Sequence, residues 1–123
     1  MDFEQLYIGI DIEEVSRFEN KSVDNNKAFL EKIFTPKELE YCFSKMFYAQ
    51  HLTARYCAKE AVVKALYPAG IKDVYYKDIE VTNDTNGCPL VSIKKYTNIK
   101  AKLSLSHTKT TAIASVILSV QNF

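Results

Sequence analysis

Between residues 6 and 13 the chain alternates: Leu6, Ile8, Ile10 and Ile12 against Tyr7, Gly9, Asp11 and Glu13. A period of two predicts a strand. Residues 13–21 then predict the opening of a first helix, 21–27 (KSVDNNK) a loop, and 28–34 (AFLEKIF) a short helix. In TPKELEYC, Thr35 stands as N-cap, Pro36 takes the first helical position and Glu38 completes a capping box. The stretch 53–66, TARYCAKEAVVKAL, follows as a longer helix that ends at Pro68 and Gly70. Its Ala54, Ala58, Ala61 and Ala65 fall on one stripe at about 100° per residue, a small-residue surface that lets a helix press closely on its neighbour.

The second half changes period. Ile79 and Val81 on one arm, Asn86-Gly87 at the turn and Leu90, Val91 and Ile93 on the other arm predict a hairpin. Leu103, Leu105 and His107 alternate with Ser104 and Ser106, and 113–120 is a strongly apolar return strand. Strands at both ends with helices between them predict an α+β domain, helices packed on a mainly antiparallel β-sheet.

Composition narrows the function classes. A chain of 123 residues, 47% hydrophobic and 25% charged, is expected to be one globular domain. A formal charge of +1 gives no electrostatic case for nucleic acid or an anionic membrane. Cys42, Cys57 and Cys88 are odd in number and widely spaced, which predicts reduced, buried thiols in a reducing compartment. The acidic N-terminal stretch MDFEQLYIGIDI does not read as a signal peptide, and no apolar run nears membrane-spanning length. The expected location is the cytoplasm.

Three places hold residues out of keeping with their surroundings. Asp is disfavoured in strands, yet Asp11 sits within one beside Gly9. It is either an exposed residue on the polar side of an edge strand or a carboxylate metal ligand. On the helix, Glu60 and Lys64 share a face hemmed in by apolar groups. They are either a surface pair worth roughly 0.3–0.5 kcal/mol or part of a site. If Glu60 joins Asp11 at one hard cation, two carboxylates with waters and substrate phosphates match how Mg²⁺ is held. Lys64 would then reach the same phosphates as a point charge. His107 precedes a turn in SLSHTKT and is either structural or faces an open site. Neither a nucleophile elbow, a zinc spacing nor a Gly-rich phosphate loop occurs.

Taken in order, GIDIEEVSRF, FLEKIFTPKELEYC, LTARYCAKEAVVKAL, DIEVTNDTNGCPLV and LSLSHTKTTAIASVIL resemble the holo-[acyl-carrier-protein] synthases, the small bacterial type of 4′-phosphopantetheinyl transferase. The resemblance runs over about residues 8–118. It implies transfer of the phosphopantetheine arm of coenzyme A to a serine of an apo acyl carrier protein, with release of 3′,5′-ADP, in support of fatty acid biosynthesis. By motif it implies that Asp11 and Glu60 hold Mg²⁺ and that Lys64 contacts the phosphates. It further implies that Arg55, His107, Thr108 and Pro89 border coenzyme A, that Arg17 and Lys21 help dock the carrier, and that the protein is a homotrimer with sites between subunits.

Two departures stand out. Where the family usually has a Gly-rich GTG after the helix, this chain has YPAGI, with Tyr67 and Pro68 in place of small residues. The first helix region also carries Glu13, Glu14 and Glu19 beside Arg17 and Lys21, so docking charges are also sought elsewhere, as at Lys45. The alternative function is a non-catalytic module that binds coenzyme A or a carrier protein. Another Mg²⁺-dependent phosphate enzyme is disfavoured, since two-metal sites usually need more carboxylates.

Overall fold

β1 (Leu6–Glu14) lies at one edge of a three-stranded sheet, beside β5 (Thr111–Val120), with β4 (Ile99–His107) beyond it. The computed structural model describes residues 3–121. Both pairings are antiparallel, with Gly9 opposite Val116 and Asp11 opposite Ala114. A separate antiparallel hairpin joins β2 (Ile79–Asn83) to β3 (Pro89–Ile93). Three helices lie between β1 and β2: α1 (Val23–Ile33), α2 (Pro36–Phe43) and α3 (Tyr48–Leu66). This is the expected helix-and-antiparallel-sheet architecture.

α3 is the centre of the molecule. Its alanine stripe is wholly buried and packs with Val62 and Leu66 against Val116 and Leu118 of β5 and Ile79 and Val81 of β2. A second core gathers Phe18, Leu30, Ile33, Phe34, Cys42, Leu52 and Tyr56 on the other side. The helix stops as its residues predict: Ile71 N–H donates to Leu66 O and Gly70 N–H to Tyr67 O, with Gly70 at φ 80°. That is a Schellman end, in which the glycine takes the left-handed turn that other residues resist.

The capping box of α2 is present. Glu38 N–H donates to Thr35 Oγ1 at 3.3 Å, and Thr35 N–H to Glu38 Oε1 at 2.8 Å. Glu38 does more than cap. It is 1% exposed, it forms an ion pair at 2.7 Å with the fully buried Lys59 of α3, and it accepts Val81 N–H at 2.8 Å. One carboxylate thus ties α2, α3 and β2. Lys59 Nζ also donates to Tyr76 O at 2.8 Å and Ile79 O at 2.5 Å. Burial pulls the ammonium pKa of Lys59 down, and Glu38 opposes that pull.

Three expectations need correction. Residues 13–21 do not open a helix. Glu13 and Glu14 stay in the β1 ladder opposite Ala112 and Thr111, and only a 3-10 turn at Val15–Arg17 follows. The local i,i+4 pair Arg17–Glu13 forms at 2.9 Å all the same, so sheet pairing overrode a helix-like signal. Residues 21–27 are not a loop either. Ser22 caps α1 by accepting Asn25 N–H at 3.1 Å, while Asn26 Oδ1 accepts Ser22 N–H at 3.0 Å. The small polar residues that suggested a loop are the cap itself. Of the three free thiols, Cys42 and Cys57 are buried, and burial pushes each up to about 12. Cys88 is exposed in the hairpin turn.

The two faces of β1 are used in an unexpected way. Gly9, Asp11 and Glu13 face α3, whereas Ile8, Ile10 and Ile12 are 76%, 58% and 65% exposed. The apolar side of β1 is left uncovered and its polar side is the one packed on the helix, while β5 turns Ala112, Ala114, Val116 and Leu118 to α3.

Candidate active site

Gly9 explains how the polar face of β1 reaches α3. A Cβ there would lie 1.9 Å from the carbonyl oxygen of Ala61. Only glycine lets the two backbones approach so closely. The contact carries Asp11 against the next turns of the helix, where Lys64 Nζ donates to Asp11 Oδ1 at 2.9 Å and to Ile10 O at 3.2 Å. The Asp11 hydrogen bond is the main cause that raises the Lys64 pKa, and Glu60 adds to it. Cys57, one turn back, likewise feels Asp11, Glu13 and Glu60, after the larger effect of its own burial. Asp11, Glu60 and Lys64 therefore form one charged group on the β1–α3 seam. Asp11 is not an exposed residue on a solvated face, for its side chain keeps only 13% exposure.

Glu60 is held from the other side. The Tyr76 hydroxyl donates to Glu60 Oε1 in a short hydrogen bond. The Tyr56 ring stands 5.8 Å from that of Tyr76, and Arg17 lies over Tyr56 at 4.7 Å. Burial, then bonds to Glu60 and Tyr56, raise the Tyr76 pKa, so this phenol stays a donor. Two carboxylates without a third His, Cys, Asp or Glu make no transition-metal cage among the described residues. The donor set suits Mg²⁺, which takes one or two carboxylates and fills its octahedron with water and substrate phosphate.

A second group lies further along α3 in a cleft of about 350 Å³, lined among others by Tyr41, His51, Arg55, Asn83, Pro89 and His107. Three of the residues singled out in the sequence meet here: Arg55, Pro89 and His107. Arg55 is buried, with Nη2 donating to Asn83 Oδ1 at 2.7 Å and its guanidinium 4.2 Å from the Tyr41 ring centre. Its Nε is buried and has no hydrogen-bond partner among the described residues. His51 is 6.3 Å from His107, ring to ring. Burial first, then Arg55, His107 and Lys45, lower the His51 pKa. The positive charges of Arg55 and Lys45 beside these rings suit an anionic ligand.

Thr108 opens onto an adjoining cavity of about 820 Å³ that shares His107 and includes Met46, Phe47 and Lys109. Its hydroxyl also accepts the N–H groups of Thr110 and Thr111, fixing the β4–β5 turn. Lys21 lies apart from both groups, while Arg17 borders the seam only through Tyr56. Arg17 is paired with Glu13, and Lys21 Nζ lies 5.4 Å from the Phe29 ring centre. Lys45 lies 4.9 Å from the Tyr41 ring centre. Tyr67, in the departure from the family pattern, is exposed, with Lys72 at 5.5 Å from its ring centre.

Sequence reasoning missed Tyr76, Tyr56 and His51. Tyr56 precedes Glu60 by four residues and His51 precedes Arg55 by four, so helical spacing held a signal for both. Tyr76 had none, because its approach to Glu60 depends on the path of the chain after α3.

Known proteins share this arrangement of elements. A holo-[acyl-carrier-protein] synthase of Thermoanaerobacter sp. (strain X514) is 43% identical over 121 residues, 92% of this chain and 86% of that protein. A crystal structure of a holo-(acyl-carrier-protein) synthase from Bacillus anthracis, in complex with CoA (3′,5′-ADP), is similar at 34% identity and a TM-score of 0.76, covering 94% of this chain and 96% of that one. A Helicobacter pylori holo-[acyl-carrier-protein] synthase in complex with coenzyme A gives 31% identity and a TM-score of 0.77, with 91% and 99% covered. Residues 7–120 match the family model described as 4'-phosphopantetheinyl transferase superfamily, and on these grounds the chain belongs to that family.

Proposed function

We infer that this protein is a holo-[acyl-carrier-protein] synthase that moves the 4′-phosphopantetheine group of coenzyme A onto a serine of an apo acyl carrier protein. The observation that carries the reading is that Asp11, from a strand far away in the chain, meets Glu60 and Lys64 of α3 across the β1–α3 seam. A module that only bound coenzyme A would have no use for such a group.

In this reading the nucleotide end of coenzyme A lies in the cleft of Arg55, Pro89 and His107, with Thr108 beside it. Arg55 and the two histidines line the cleft as donors suited to its phosphate. The pyrophosphate then points to the seam. Lys64 places the positive charge of its ammonium against it. Asp11 and Glu60 would hold Mg²⁺, which when bound neutralises charge on the bridging phosphates. The carrier serine oxygen forms a bond to the β-phosphorus, and the bond to 3′,5′-ADP breaks. The serine proton passes to Glu60 or to a water beside it. Such chemistry rests on position and charge, so a site without a covalent nucleophile is sufficient.

The uncovered sheet face fits assembly with further copies of this chain. Ile8 and Ile117 pair across β1 and β5 and are 76% and 49% exposed. With Ile10 and Ile12 they form an apolar patch of a kind that marks association surfaces. We assign it to a homotrimer whose neighbouring subunit completes the nucleotide pocket. Light scattering on the purified protein should give three times the chain mass, and Ile8→Glu should give the monomer. Arg17 and Lys21 are assigned to carrier docking. The cytoplasm suits three free cysteines, and no described helix is long and apolar enough to cross a membrane. Charged carriers would then serve fatty acid biosynthesis.

The reading is tested by product analysis. Coenzyme A, Mg²⁺ and apo acyl carrier protein incubated with the protein should yield 3′,5′-ADP and holo carrier in equal amounts. Binding of coenzyme A without either product would replace the transferase by a binding module.

A further inference from the structure

Tyr76 reaches the charged seam from outside β1 and α3, through a neutral side chain. Its hydroxyl donates to one oxygen of Glu60, which leaves the other carboxylate oxygen for a different partner. The ring is not free to wander. Its main-chain carbonyl accepts from the buried Lys59 ammonium at 2.8 Å. The 3-10 turn Tyr76–Asp78 is closed by Tyr75 N–H donating to Asp78 Oδ2 at 2.8 Å, and Lys94 N–H donates to Asp78 O at 2.8 Å. Tyr56, 7% exposed and packed in the second core, stands behind it with its ring tilted at 48°. Lys59 and Glu60 are adjacent on α3. The first anchors the backbone of Tyr76, and the second receives its phenol.

We propose that Tyr76, backed by Tyr56 and anchored through Lys59 and Glu38, is a positioning residue that orients the Glu60 carboxylate for a divalent cation. The inference rests on the transferase reading, in which Glu60 holds that cation. An outer hydrogen bond of this kind fixes one ligand oxygen so that the other presents a single direction to the metal. Loss of such a partner typically lowers metal affinity about 10–100-fold. It also gives the buried Glu38–Lys59 pair a role beyond joining α2 to β2, since the same ammonium sets where the phenol can aim.

The test compares wild type, Tyr76→Phe, Tyr56→Phe, Glu60→Gln and Tyr76→Phe/Glu60→Gln. Mn²⁺ is the probe, titrated calorimetrically into protein saturated with coenzyme A. Tyr76→Phe removes one oxygen and keeps the ring, so the melting temperature should stay near wild type. Its Mn²⁺ affinity should fall about 10–100-fold, with kcat reduced and KM for coenzyme A within about twofold. Adding the change to Glu60→Gln should cost nothing further. Tyr56→Phe should show the same pattern at smaller size. Wild-type Mn²⁺ affinity in Tyr76→Phe would overturn the inference while leaving the transferase intact. A wild-type protein that takes up no Mn²⁺ would overturn both. Failure of the transferase reading alone would show as tight Mn²⁺ binding without product.

Discussion

Gly9→Ala adds one carbon at the contact on which the site depends. That carbon would lie 1.9 Å from Ala61 O and 3.1 Å from Ala65 N, both main-chain atoms of α3. Cβ atoms do not approach below about 3.0 Å, so β1 and α3 must part by about 1.1 Å, the difference between 3.0 and 1.9 Å. No rotamer relieves a clash between a Cβ and backbone. Overpacking of this kind costs about 1–3 kcal/mol, and a displacement near 1 Å of a reacting group costs about 100-fold in rate. Because Asp11 lies two residues on in the same strand, the displacement falls directly on its relation to Glu60 and Lys64. The assay is the initial rate of carrier modification, read beside the urea denaturation curve. Gly70→Ala supplies a yardstick for stability, since Gly70 meets nothing within 4 Å and is strained only by its φ of 80°. Gly9→Ala should lose about 100-fold in rate while still folding at 25 °C. A rate within threefold of wild type would refute the claim that the seam's spacing sets the site.

Other expectations follow from the buried charges. Lys59→Met strands the Glu38 carboxylate in the core and should cost about 3–5 kcal/mol by urea denaturation, with Lys59→Met/Glu38→Gln recovering part of it. A loss below about 1 kcal/mol for the single change would contradict the role of the pair. For His51 the lowered folded pKa means that the unfolded chain binds a proton, from about 6.5 downward, that the folded chain declines. Stability is therefore lost as pH falls from about 6.5 through the folded value, and is unaffected by this group above pH 7. His51→Gln should flatten that acid limb in melting curves taken from pH 7.5 to 5. Parallel curves for the two proteins would show that burial, with Arg55, His107 and Lys45, does not hold the His51 pKa down.

Much of this molecule was legible before its structure. The α2 cap was visible because capping is local: Thr35, Pro36 and Glu38 sit within one turn. The same holds for the alanine stripe and the Gly70 helix end, which depend on helical period and on one glycine. Asp11 and Glu60 stood out because acids are rare in such apolar settings. What stayed hidden was set by distant partners. The alternation in β1 marks a strand, but nothing local tells which of its faces α3 covers, and the apolar side is the open one. The extension of β1 through Glu14 depends on pairing with Thr111, nearly the whole chain away. Glu38 read as a cap, while its bond to Lys59 and Val81 N–H requires α3 and β2 to be in place. Tyr76 is the extreme case, since its whole role is the long-range approach to Glu60.

The central claim is that Asp11, Glu60 and Lys64 act together in phosphopantetheine transfer. Intact-mass spectrometry of an apo acyl carrier protein, after incubation with coenzyme A, Mg²⁺ and either wild type, Asp11→Asn, Glu60→Gln or Lys64→Ala, tests it most directly. The account predicts one phosphopantetheinyl group added by wild type, at rates lowered at least about 100-fold in each variant. A carrier modified as fast by Glu60→Gln as by wild type would contradict it, as would a carrier that wild type leaves unmodified.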